Sequence, residues 1–154
     1  MKVRPCGGCT ACCSVLGVHD IAKQPWTACE HLEEGGCGIY DARPNPCRKF
    51  NCLWQGWVGK ESDRPDKIGV IFAPTNGQTE FTGEEEFQAY ELAPGKFNTP
   101  EALNIARILT TATGKLLVGH VHGGTGYVFM GPDRKIAAAQ KWMDKVDKGD
   151  VIGV

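Results

Sequence analysis

Eight cysteines crowd into the 47 positions from Cys6 to Cys52, and the 102 residues that follow carry none. They run Cys6-Gly-Gly-Cys9-Thr-Ala-Cys12-Cys13, then Cys29 and Cys37, then Cys47-Arg-Lys-Phe-Asn-Cys52. At roughly 15% of the first 52 residues, cysteine exceeds the level of about 8–10% at which a short segment is held together through its sulfurs. Glycines interrupt every run in this stretch (Gly7, Gly8, Gly17, Gly35, Gly36, Gly38), and Pro44 and Pro46 break any long helical pattern. Its apolar residues, among them Val15, Leu16, Trp26, Phe50, Trp54 and Trp57, recur without a sustained period. A segment of about 50 residues with so little regular structure needs metal or disulfide staples to hold one conformation.

Composition narrows the choice of staple. The chain has 154 residues and a formal charge of −1, divided as +2 over 1–60 and −3 over 61–154. Neither part has the basic excess of a nucleic-acid surface. No apolar run reaches the roughly 20 residues that span a bilayer, so no membrane association is expected. Met1-Lys-Val-Arg-Pro5 leads into the first cysteine without a signal-type apolar region, so the expected location is the cytoplasm. In that reducing compartment persistent thiols point to metal ligation or redox chemistry before structural disulfides.

Thiolates that share a metal converge on it at about 2.3 Å, and two cysteines separated by two residues do so by wrapping a tight turn. Gly7 and Gly8 sit inside the first such turn and relax its backbone geometry. Cys9 and Cys12 repeat the spacing. Cys13 diverges from its neighbour Cys12, which suggests either two sites close together or one ligand beside a packed thiol. Eight sulfurs match two four-cysteine sites, and equally one such site with four thiols over.

The pattern Cys6-x2-Cys9-x2-Cys12-Cys13, followed by Cys29, Cys37-Gly-Ile-Tyr40 and Arg43-Pro44-x2-Cys47-Arg48-x-Phe50-x-Cys52, resembles the bacterial zinc- or iron-chelating domain family, also called the CxxCxxCC or YkgJ-like family. The resemblance runs from Cys6 to about Trp57. It implies metal chelation by Cys6, Cys9, Cys12, Cys13, Cys29, Cys37, Cys47 and Cys52. Similar cysteine clusters accompany a flagellin lysine methylase, but the resemblance supplies a site more than an activity, and it assigns no catalytic residue.

Zinc is the expected metal, with an iron-sulfur cluster as the alternative, since soft thiolate sites accept both. The ferredoxin cluster loop continues with a fourth cysteine three residues on, followed by proline, whereas here Cys13 is adjacent to Cys12 and Pro46 precedes Cys47. Two divalent ions with eight thiolates leave four negative charges. Arg43 and Arg48, which fall on the family pattern, are candidates to offset that charge and donate to sulfur. Lys49 reads as a solvated surface charge.

Three histidines offer nitrogen ligands. His31 follows Cys29 by two residues but reads as an accessory or surface group when eight sulfurs are at hand. His120 and His122 alternate on a strand and share a face. No Asp or Glu lies near them in the chain to complete a site, so they read as a polar strand face. Gly123-Gly-Thr-Gly126 lacks the lysine and helix of a phosphate loop and reads as a hairpin turn. Cys6 lies in no βαβ context of a thiol-disulfide oxidoreductase.

The polar connector Glu61-Ser-Asp-Arg-Pro-Asp66 marks a boundary between a cysteine-rich metal-binding module over 1–60 and a small α+β domain over 61–154. Strands are expected at Ile68–Phe72, closed by Pro74 and Asn76-Gly77, and at Glu86–Leu92. Thr99 caps a helix that starts at Pro100, carries Ala102, Ile105, Ala106, Leu109 and Ala112 inward, and stops at Gly114. Strands at Lys115–His120 and Tyr127–Met130 then precede a last helix with Asp133 as its cap and Ile136, Ala139, Met143 and Val146 on its inner stripe. This order predicts an irregular, metal-stapled N-terminal module packed on a small, mostly antiparallel sheet with two helices on one face. The expected function is a structural metal site supporting a surface for a protein partner or small ligand. The alternative is an iron-sulfur or open-zinc-site protein in a redox or protein-modification reaction.

Overall fold

The computed structural model describes residues 2–147. From Cys6 to Lys60 the backbone forms only short elements: helix α1 (Ala11–Val15), a ladder of strands β1 (Leu32–Glu33) and β2 (Gly36–Cys37), and helix α2 (Asn45–Lys49). Single 3₁₀ turns at His19–Ile21 and Tyr40–Ala42 fill the gaps. The glycines and prolines that break every apolar run are the reason none of these elements grows.

Beyond Lys60 the chain is regular. Helix α3 (Pro65–Ile68) ends at Gly69, and strand β3 (Val70–Pro74) follows, starting two residues later than the β-branched run alone predicts because Ile68 closes the helix. Strand β4 (Phe87–Glu91), helix α4 (Pro100–Thr113), strands β5 (Leu117–His120) and β6 (Tyr127–Met130), and helix α5 (Asp133–Asp147) complete the described chain. Asp133 is the first residue of α5 rather than its cap.

The strands order as β3-β4-β5-β6. Both outer pairs are antiparallel, while β4 and β5 run parallel because α4 carries the chain back across the sheet between them. The architecture is α+β. The β5–β6 connection is a hairpin whose turn is closed by the Val121 N–H donating to the Gly126 carbonyl at 3.0 Å.

The expectation of both helices on one face is corrected by the burial pattern. Val70, Phe72, Phe87, Ala89 and Leu117 share one face and pack against Ala102, Ile105, Ala106 and Leu109 of α4. The neighbouring Val118, together with Leu116, points the other way and packs on Ala139 and Ile136 of α5. Successive residues of a strand face opposite sides, so an apolar pair such as Leu117-Val118 obliges the sheet to be covered on both. The second face is shared. Ile71, 1% exposed, lies under Ala11, Val15, Cys52 and Trp54 of the cysteine-bearing segment, so one apolar cluster runs across residue 60. Among the described residues no helix is long and apolar enough to cross a membrane.

Candidate metal centre

The first cysteine pair is set by a tight turn in which the Cys9 N–H donates to the Cys6 carbonyl at 3.1 Å. Gly7 stands there at φ +59°, in the left-handed region that a side chain resists. The same space is closed from outside, since a Cβ on Gly7 would lie 3.0 Å from the Arg64 guanidinium. Cys12 and Cys13 occupy α1, which anchors itself by burying Ala11 and Val15. Adjacent helical residues point about 100° apart, so the two sulfurs leave the helix in different directions.

Backbone bonds bring the later cysteines to this helix. The Cys29 N–H donates to the Cys13 carbonyl at 2.9 Å. Cys37 lies opposite Leu32 in the β1–β2 ladder, and Cys47 is carried by α2. Cys52 is buried, with its N–H directed to the Gln55 side-chain oxygen at 3.3 Å. All eight cysteines are free thiols.

These thiols surround two adjoining spaces. Cys6, Cys9, Cys12 and Cys52 line a cavity of about 20 Å³ backed by Trp54, Gln55 and Ile71. Cys13, Cys29, Cys37 and Cys47 line a cleft of about 490 Å³, walled by apolar residues such as Leu16, Val18 and Ile39, that also reaches Cys6, Cys9 and Cys12. After burial, the charges that oppose a Cys47 thiolate are those of Cys13, Cys29 and Cys37, and those that oppose a Cys52 thiolate are Cys6 and Cys9, while Cys13 also acts on Cys6 and Cys12.

Burial pushes the thiols of Cys6, Cys9, Cys47 and Cys52 above their ordinary value. Cys12 and Cys13 behave as a pair. Cys12 is raised by the neighbouring Cys13 thiol and by burial, while Cys13 is lowered by its neighbour Cys12 and by the charges of Lys23 and Arg43, against the upward push of burial. Eight free thiols suit a thiophilic metal. Among the described residues no three Cys, His, Asp or Glu side chains are already gathered on one ion position, so ligation requires the thiols to turn inward.

The chain matches no family model, no curated protein and no solved structure. Its chemistry is therefore read from its own residues.

Of the expected charge partners, Arg43 lies on the cleft and lowers the pKa of Cys6, Cys13 and Cys47 through its charge. Its guanidinium is stacked on Tyr40 at 3.7 Å, and its Nε donates to the Tyr40 carbonyl at 2.8 Å. Arg48 is directed elsewhere. Its Nε donates to the Arg43 carbonyl at 2.8 Å and its Nη2 to the Asp41 carbonyl, so it fixes the loop that presents Arg43.

His31 lies on the cleft wall, 3.6 Å from Glu30. His120 ends strand β5, whereas His122 opens the 3₁₀ turn His122–Gly124, so the two do not alternate along one strand as expected; neither lines a cysteine-bearing space. His120 is stacked on Tyr90 at 4.6 Å and bonded to the Gln88 side chain, and burial pushes its pKa down to about 4. His122 sits edge-on to Trp26 at 5.7 Å, and its backbone N–H donates to the buried carboxylate of Glu91 at 3.1 Å.

Three participants lie outside the cysteine spacing. Lys23 reaches the cleft, where burial lowers its pKa against the opposing pull of nearby thiols. The Gln55 amide donates to Cys6 Sγ at 3.1 Å. Asp66 lies beside Cys9, and its carboxyl is held below the ordinary value chiefly by Arg64, with which it is paired at 2.6 Å. Asp66 lies in the polar connector, so only the tertiary fold brings it to a sulfur. Gln55, three residues after Cys52, carries a faint signal as an amide beside the cysteine run.

Proposed function

We propose that this chain is a thiolate metal-binding protein in which the cysteines from Cys6 to Cys52 chelate zinc, and that the metal acts as a structural staple. The observation that carries this reading is the gathering of eight reduced thiols on two adjoining spaces in a segment whose longest helices have five residues. Such a segment has little backbone cooperativity of its own, and a bound metal supplies the missing folding free energy. When bound, zinc contributes no redox chemistry and closes a tetrahedral thiolate site. The chain's own residues do the rest. Cys6 is oriented by Gln55, Arg43 and Lys23 offset thiolate charge on the cleft, and Trp54 and Ile71 seat the liganded segment on the sheet. The surface so fixed is offered to a protein partner or small ligand, and the order of the cysteines, which resembles that of the zinc- or iron-chelating family, supports the metal reading.

Metal analysis with a visible spectrum on anaerobically prepared protein tests the reading. Colourless protein with stoichiometric zinc is expected. Brown protein with iron and acid-labile sulfide replaces the staple by an iron-sulfur cluster. Complete metal removal is expected to abolish the circular dichroism and thermal stability of the N-terminal segment, and unchanged values overturn the structural role.

A further inference from the structure

We propose that the eight thiols form two unequal metal sites: an inner site of Cys6, Cys9, Cys12 and Cys52, seated on the apolar cluster, and an outer site of Cys13, Cys29, Cys37 and Cys47, on the larger cleft, that exchanges its ion with solvent. This division rests on the metal-binding reading above. The inner four line a space of about 20 Å³, close to the size of a single small occupant. Its walls belong to the apolar cluster that joins the segment to the sheet, with Cys52 8%, Trp54 6% and Ile71 1% exposed. Cys6, Cys9 and Cys12 also border the larger cleft, but an ion held among the inner four is backed by this cluster and anchored by buried Cys52, so it leaves more slowly.

The outer four are arranged differently. None of Cys13, Cys29, Cys37 and Cys47 lines the small cavity, and while they share partial exposure with Cys6, Cys9 and Cys12, the outer group has no buried member to match Cys52. They face a cleft of about 490 Å³, far more than one ion occupies, with Lys23 and Arg43 on its wall. The elements behind them are α1, a two-residue ladder and the five-residue α2, so an ion can leave without disturbing the sheet. A soft incoming ligand can enter the same cleft and take the ion by thiolate exchange. Adjacent Cys12 and Cys13, diverging from α1, assign one sulfur to each site, which gives the doublet a purpose that a single site does not. The class of ligand at the outer site is a thiophilic divalent cation delivered to or withdrawn by a soft donor.

The test loads the full chain with zinc under anaerobic conditions and challenges it with excess 4-(2-pyridylazo)resorcinol, following release by absorbance and structure by circular dichroism. One ion per chain is expected to leave with the spectrum unchanged, and a second to leave about tenfold or more slowly, together with loss of structure. Cys47→Ser is expected to remove the fast phase and keep the fold, and Cys52→Ser to remove the slow phase. Where Cys52→Ser fails to fold, Cys47→Ser carries the decision alone. Two ions leaving in one phase, a single ion in the unsubstituted chain, or a Cys47→Ser protein that loses the slow phase overturns the division while leaving metal binding intact. A chain that takes up no zinc overturns the metal-binding reading itself.

Discussion

Gln55 is a neutral side chain that donates to a cysteine sulfur. Its amide reaches Cys6 Sγ at 3.1 Å and the Arg4 carbonyl at 3.4 Å, while its oxygen accepts from the Cys52 N–H at 3.3 Å, so one side chain holds two cysteines of the inner group. Outer partners of metal ligands are worth about 10–100-fold in affinity. Gln55→Leu is therefore expected to weaken zinc retention by about tenfold, read by competition with a chelator, without changing the number of ions bound. His120 offers a second prediction away from the cysteines. Burial holds its pKa at about 4 against 6.5 in an exposed imidazole, so between those values the unfolded chain binds more protons than the folded one. The stability this contributes is complete above pH 6.5 and is lost as pH falls toward 4, by at most about 3 kcal/mol. In an NMR titration the His120 imidazole is expected to stay neutral at pH 5, and a midpoint above 6 contradicts the buried placement.

Elements differ in how far their residues announce them. Helix α4 is legible from its cap, periodicity and stop: the Thr99 oxygen accepts from the Ala102 N–H at 3.4 Å, Ala102, Ile105, Ala106 and Leu109 face inward, and Gly114 ends it in the left-handed region, although the expected Ala112 is exposed and Thr110 is buried in the last turn instead. Thr99→Ala is expected to cost about 1 kcal/mol, a fall of roughly 2–4 °C in Tm for a chain of this size. Trp26 is less legible. It stands at φ +61° in an irregular loop, yet its ring lies 6.5 Å from Tyr90 and 5.7 Å from His122, and Gly124 leaves room for it where a Cβ would come within 2.9 Å of Nε1. This contact ties the loop between Cys13 and Cys29 to the sheet. Trp26→Ala is expected to destabilise the fold by about 3 kcal/mol in a denaturant titration, and a change of only a few tenths would show the loop to be energetically separate.

For the whole molecule, local signals and long-range convergence separate cleanly. The strands, both long helices and the irregularity of the cysteine segment follow from spacing and turn residues. The parallel β4–β5 pairing, with α4 and α5 on opposite faces, depends on which apolar residue of each alternating pair finds a cover, a tertiary outcome. The cysteines of the candidate site stand out by density and order. Their division between two spaces, and the approach of Lys23, Gln55 and Asp66, does not, because it arises from a segment folded back on α1 and laid against Ile71. X-ray absorption at the zinc edge of the anaerobically purified full chain tests whether these sulfurs are metal ligands. A shell of about four sulfurs per zinc at about 2.3 Å is expected, whereas protein without bound metal, or zinc with a nitrogen and oxygen shell at about 2.0–2.1 Å, would contradict the proposed ligation.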